Sequence, residues 1–319
     1  MDLWDRGLAA VRAYFRGSGL REVSTPVRVA GVAVEPFIEP IAAPPGYLAT
    51  SPELVMKRLL CRGSGSIFQV SHVFRAAERG ARHSEEFHLI EWYRVEAPLV
   101  QLRRDVEALI DAVFDATGRP RVGEWSSVGI MDVVEATLGL RLRGDEDSPE
   151  LIGLAAKCGL KLVAFGLDDP APEVRRLAAW TAFLSEWSDR HLDLWLATRQ
   201  GVHLCDFPPV LAALSEIRET GGVLRAARFE SFVGGVELAN GYQELRDPVE
   251  QGARFAAVGG LREALGLPPL ANDEGFLEDM RGYGLPCCAG VALGLDRLLM
   301  LAAGADRLDQ VALALSAPN

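Results

Sequence analysis

SIFQVSHVFRAAERGARHSEEFHLIEWYRVE, residues 66–96, reads as two strands joined by a polar loop. "SIFQVSHVFR" and "EFHLIEWYRVE" are rich in β-branched and aromatic residues, while residues 76–85 carry Arg, Gly and Glu instead. The reading is a long hairpin. In its second strand the two-residue period sets Phe87, Leu89, Glu91 and Tyr93 on one face and His88, Ile90, Trp92 and Arg94 on the other. Glu91 among apolar neighbours marks either a solvated strand face or a partly buried polar pocket. Arg75, Arg82 and His83 flank the loop. There, basic groups either clamp phosphate oxygens through charge-assisted hydrogen bonds or form a solvated charged turn.

Working outward, residues 3–16 have helical periodicity, with Leu3, Leu8, Val11 and Phe15 on one face and Gly17 and Gly19 as the stop. "LREVSTP" is a short strand ending at Pro26, followed by a loop rich in Pro and Ala to Tyr47. Ser51 caps "SPELVMKRLLCR" with Pro52 in its first turn. Residues 98–218 are mostly helical, most clearly over 99–117, 128–138 and 171–187. "HLCDFPP" and "RFESFVGGVELANGY" return to strand, and a helix begins at Pro248. "CCAGVALGLDRLLMLAAG" is a buried strand, a Gly-marked bend and an apolar helix closed by Gly304. Strands towards both ends with helices between predict one α+β domain over 1–319, with a mostly helical insertion at about 98–218.

The chain has 319 residues, 49% hydrophobic and 24% charged, with a formal net charge of -11. That charge argues against a polyanion as main partner, because nucleic-acid binding rests on Lys and Arg. No apolar run approaches the ~20 residues of a membrane span. The N-terminus lacks the basic start and apolar run of a signal peptide. Cys61, Cys158, Cys205, Cys287 and Cys288 show no metal-ligand spacing, and scattered reduced cysteines predict the cytoplasm.

"GVELANGYQELRDP", residues 235–248, sets Glu237, Asn240 and Glu244 among apolar residues, with Glu230 just upstream. An unpaired buried carboxylate costs several kcal/mol, so these acids face water or await something positive. In "GVALGLDR", Gly290 and Gly294 bracket a strand and Arg297 opens the next helix, an arrangement that suits an anion or simply a tight turn. Neither a Walker A sequence nor G-x-G-x-x-G occurs. Acids for a cation or metal and arginines for phosphate together point to a nucleotide-using enzyme with a cationic substrate.

Three of these pieces, in this order, resemble the signature motifs of class II aminoacyl-tRNA synthetases: "LREVSTP" motif 1, "FRAAERGARHSEEFHLIEWYR" motif 2, "GVALGLDRLLML" motif 3. "TSPELVMKRLL" and "VELANGYQELRDPVEQGARF" resemble the lysyl-tRNA synthetases within that class. The resemblance covers about residues 10–95 and 225–302. The chain begins almost at motif 1, so no anticodon-binding domain is expected in front. A lysine-type catalytic domain of this length resembles the elongation factor P--(R)-β-lysine ligases, as do the wordings "EWYR" and "GVALG".

The resemblance implies ATP and Mg²⁺ as cofactors, (R)-β-lysine as substrate and elongation factor P as acceptor. It further implies a homodimer; tRNA is not expected as a partner. Glu244 and Tyr93 would hold the side-chain ammonium. Glu53, Glu91 and Asn240 would handle the other amine and the carboxylate, with Ser51, Pro52 and Ala292 lining the same pocket. Glu230 and Glu237 would ligate Mg²⁺. Arg75 and Arg297 would bind the α- and γ-phosphates and act in catalysis. Ala77, Glu78, His83, Ser84, Glu237, Leu238 and Gly294 would complete the ATP site. The sequence departs from the family at motif 2: Ala76 and Ala77 follow Arg75, the acid that reads adenine comes one position late as Glu78, and Ser84-Glu85 replaces Asn-Pro. The same residues also fit a truncated lysyl-tRNA synthetase paralogue that activates α-lysine for tRNA or another acceptor, or a non-catalytic lysine-binding regulator.

Overall fold

The computed structural model describes residues 2–162 and 170–311. Helix α1 (Asp2–Gly17) buries Trp4, Val11 and Phe15. β1 (Arg21–Glu22) opens the main sheet, while β2 (Arg28–Val29), β3 (Ala42–Ala43) and β4 (Gly46–Leu48) form a small separate one. α2 (Glu53–Cys61) leads into the expected hairpin of β5 (Ile67–Phe74) and β6 (Glu86–Val95). Then come α3 (Leu99–Thr117), β7 (Trp125–Gly129), α4 (Ile130–Leu138), α5 (Ser148–Lys157), α6 (Pro172–Trp187) and α7 (Asp193–Leu196). β8 (Gly201–Phe207), β9 (Ile217–Thr220), β10 (Val223–Val233) and β11 (Val236–Gln243) follow. α8 (Pro248–Ala264), α9 (Glu274–Tyr283), β12 (Cys288–Gly294) and α10 (Leu295–Ala302) complete the fold.

The main sheet runs β1-β5-β6-β12-β11-β10-β8-β7, with β9 on β10. Its centre is antiparallel, as the hairpin predicts. The end pairs β1–β5 and β7–β8 are parallel, so the whole sheet is mixed. Both parallel pairs are joined by long connections, which parallel pairing requires. Residues 98–218 do supply α3 to α7, but they are more than a helical excursion. β7 and β8 extend the main sheet, and α3 packs on β10, β11 and β12.

The period-2 reading of β6 places its two faces correctly. Ile90 and Trp92 enter the core with Phe15 of α1, Val106 and Leu109 of α3, and Leu298 of α10. Arg94 reaches the buried Asp105 of α3, which also accepts from Trp92 Nε1 at 3.3 Å and Tyr14 Oη at 3.0 Å. That buried acid ties α1, α3 and β6 together. Tyr93, on the opposite face, packs with Leu54 and Met56 of α2 and Phe276 of α9.

Candidate active site

Register brings the scattered polar residues together. One row across the sheet pairs Glu230 with Asn240, Asn240 with Ala292, and Ala292 with Glu91. The neighbouring row pairs Arg228 with Tyr242, Tyr242 with Gly290, and Gly290 with Tyr93. Side chains two apart along a strand share a face, so both rows point the same way. Gly290 is needed in the second row: a Cβ there would lie 2.2 Å from the Tyr93 ring and 2.5 Å from Glu244 Oε1.

A cavity of about 270 Å³ opens at these rows. From α2 and the residue run before it come Ser51 and Glu53; from the motif 2 loop, Arg75, Glu78, His83 and Ser84. β10 and β11 give Glu230, Glu237, Leu238 and Asn240; β12 and α10 give Ala292, Gly294 and Arg297. All of these were expected in the site. Glu91, Tyr93 and Glu244 were expected too, but they are not on the cavity wall; each is at most 2% exposed, packed beneath it. Pro52 is the N-cap of α2 and Ala77 a backbone turn.

The acids beneath the wall are not unpaired. Lys57 Nζ lies 2.5 Å from Glu244 Oε2 and 2.7 Å from Glu53 Oε1, and it is 1% exposed. Burial alone would lower the Lys57 pKa, but Glu244 and Glu53 outweigh it and raise it. Burial also pushes the Glu244 carboxyl up, against the pull of Lys57. The contact is close but poorly directed, and Glu244 Oε2 gains no well-aligned hydrogen bond. Glu91 accepts from Tyr93 Oη at 2.6 Å and from Ser51 Oγ at 2.8 Å. Burial, with Glu53 nearby, still pushes it up to about 8. Lys57 was not expected in the site. Its only sequence signal is the four-residue spacing from Glu53 on a helix, common in surface ion pairs.

At the acidic pair, Glu230 is raised to about 7 by burial; Arg228 opposes this and Glu237 adds to it. Arg228 also donates to Asn240 Oδ1 at 3.2 Å and stacks on Phe207 and Tyr242. Two carboxylates of this kind suit a hard divalent ion that keeps its other positions for phosphate and water.

The motif 2 loop turns tightly at Ala77. Ala77 takes φ 63°, in the left-handed region, and its N–H donates to Glu85 Oε1 at 3.0 Å. The turn brings Glu78 onto the cavity wall, 3.3 Å from Arg75 Nη1. Arg75 lies over the Phe87 ring and donates to the Thr50 carbonyl. Arg297 joins the loop to β11, donating to the carbonyls of Arg82 and Glu237, each at 3.1 Å. Burial and Arg297 lower the His83 pKa. The cavity thus offers arginines to an anion beside carboxylates for a cation.

Comparison with known proteins agrees with that chemistry. Residues 3–314 match the family model described as tRNA synthetases class II (D, K and N). A Pectobacterium carotovorum protein named elongation factor P--(R)-beta-lysine ligase is 35% identical over 317 residues, 95% of this chain and 91% of its own. Proteins of the same name from Photorhabdus laumondii and Pasteurella multocida are 33% and 35% identical, again over 95% of this chain and 91% of theirs. The chain belongs to the class II tRNA synthetases (D, K and N), in their catalytic fold of a mixed sheet flanked by helices.

Proposed function

We propose that the protein is an ATP-dependent, AMP-forming ligase that activates (R)-β-lysine as an adenylate and transfers it to a lysine side chain of elongation factor P. The observation that carries this reading is the single cavity with both chemistries, Arg75 and Arg297 beside Glu53, Asn240 and Glu230. The near full-length likeness to ligases of that name supports the substrate and acceptor.

The substrate carboxylate attacks the α-phosphorus of ATP, and pyrophosphate leaves. Arg75 and Arg297 hold the phosphates in line and balance the charge that develops, so catalysis is positioning and electrostatics. Glu78 reads the adenine, and His83, Ser84, Leu238 and Gly294 shape its pocket. Glu230 and Glu237 would hold Mg²⁺, which when bound supplies positive charge to the phosphate oxygens. Glu53, Asn240 and Glu91 orient the amine nearest the carboxylate; Glu244, through Lys57, and Tyr93 set the electrostatics of the side-chain end. A neutral lysine amine of the acceptor then attacks the mixed anhydride, and AMP leaves.

Among the described residues, no helix is long and apolar enough to cross a membrane. All five cysteines are free, which fits the cytoplasm. A homodimer is the expected assembly, and light scattering reads it directly. The deciding experiment incubates the protein with ATP, Mg²⁺ and each lysine isomer, then with elongation factor P or tRNA. Pyrophosphate exchange with β-lysine and a mass increase on elongation factor P are expected. Better turnover of α-lysine, or a product on tRNA alone, overturns the reading.

A further inference from the structure

The cavity holds a further carboxylate, that of Glu35. Glu35 lies on the wall, on the loop between β2 and β3. Arg75, Glu53, Arg228 and Glu78 line the same cavity. Among the described residues it has neither a hydrogen-bond partner nor a cation within ion-pair distance. Glu53 differs, since it is ion-paired to Lys57, which it shares with Glu244.

The loop that carries Glu35 is fixed from behind. Arg262 of α8 is 0% exposed and donates to the backbone carbonyls of Glu35 at 3.2 Å, Pro36 at 3.3 Å and Ile38 at 3.4 Å. The same guanidinium pairs with Glu39 at 2.7 Å. The Glu39 carbonyl accepts from Ala76 N at 2.7 Å, which couples the loop to motif 2. The Val32 N–H also donates to Ala271 O at 3.2 Å. A buried arginine that binds three carbonyls of one loop makes this wall rigid, and a rigid wall aims its side chain.

We propose that Glu35 is a substrate-recognising residue that binds the ammonium nearest the reacting carboxylate, and so selects diamino acids over acids with a terminal amine alone. The wall it shares with Arg75 and Glu53 is what assigns it to that amine: Arg75 marks the phosphate being attacked, and Glu53 marks the amino-acid end. Burial raises the Glu35 pKa, and Arg75 and Arg228 oppose that, so an incoming ammonium completes a site with an unsatisfied acid. The inference rests on the reading of the cavity as a diamino-acid site.

The test compares wild type with Glu35→Gln and Glu35→Asp. The ligands are β-lysine, α-lysine and 6-aminohexanoate, which keeps the carboxylate and terminal amine but lacks the second amine. A charge-assisted hydrogen bond corresponds to roughly tenfold or more in affinity. Glu35→Gln is expected to raise the KM for both lysines at least that much, with Glu35→Asp between. The inhibition constant of 6-aminohexanoate and the KM for ATP are expected to stay within about twofold. Equal weakening of all ligands, or of none, overturns the proposal and leaves Glu35 a structural counter-charge. Calorimetric binding without ATP separates the two readings. A wild type that binds a lysine isomer but exchanges no pyrophosphate defeats the ligase, while the Glu35 comparison is still read by binding; one that binds neither isomer defeats both.

Discussion

Lys57 Nζ lies 2.5 Å from Glu244 Oε2, and both side chains are 1% exposed. The protein therefore carries its own ammonium beneath the substrate cavity, against the acid that family resemblance gives to the substrate. Removing one member of a buried pair leaves the other uncompensated, at a cost of about 3–5 kcal/mol. Lys57→Met should lose stability of that order in urea unfolding. The Lys57→Met/Glu244→Gln double variant should recover part of it, with a coupling of at least about 1 kcal/mol. Additive losses would mean that the two charges do not depend on each other.

Glu244→Gln alone tests the amino-acid pocket. It should lower lysine-dependent pyrophosphate exchange about tenfold or more while ATP binding survives, because Lys57, left without this partner, sets an uncompensated positive charge beneath the site that receives the substrate's ammonium. Unchanged exchange would remove Glu244 from substrate recognition.

Glu230 and Glu91 predict a pH dependence. Both carboxyls are raised, to about 7 and about 8. The folded chain thus keeps protons that the unfolded chain releases near its ordinary carboxyl pKa of about 4. Their contribution to stability is fully present below that value and is lost as pH rises through about 7 and about 8. Cation binding requires the ionised forms. The lysine KM should therefore fall between about pH 6 and about pH 8.5, and Mg²⁺-ATP binding at about pH 6.5 should release protons into weakly buffered solution. Binding without proton release would show that neither acid meets a cation.

Glu78 and Ala77 test the motif 2 turn. Glu78→Ala should raise the KM for ATP with little change in that for lysine. Ala77 pays for its left-handed φ of 63° with strain of about 1 kcal/mol, which glycine does not incur. Ala77→Gly should keep activity and match or exceed wild type in thermal stability. An unaltered ATP dependence in Glu78→Ala would take Glu78 out of the nucleotide site.

Ala292 stands between Asn240 and Glu91 in the row across the sheet. One methyl group in a packed site discriminates by about 1–3 kcal/mol. Ala292→Gly should shift preference from β-lysine towards α-lysine, read as the ratio of kcat/KM values. A ratio that does not move would place the discrimination elsewhere.

The sequence by itself determined the longer elements and the kinds of chemistry, while the short strands β2, β3, β4 and β7 fell in stretches read as loop or helix. Alternation in "EFHLIEWYR", Pro248 at a helix start and Gly304 at a helix end are local signals, set by backbone sterics and burial within a few residues. The residue types of "GVELANGYQEL" and "GVALGLDR" likewise carried the carboxylates and arginines into view. Tertiary structure alone decided which of them meet. Glu230, Asn240, Ala292 and Glu91 form one row only because β10, β11, β12 and β6 pair in that register, and a one-residue slip would turn each to the opposite face. The parallel edge strands, the burial of Lys57 under Glu244 and the clamp of Arg262 on the Glu35 loop are equally non-local. Each depends on segments far apart in the chain whose contact is fixed by packing, and charge pairing across such distances leaves no periodicity to read.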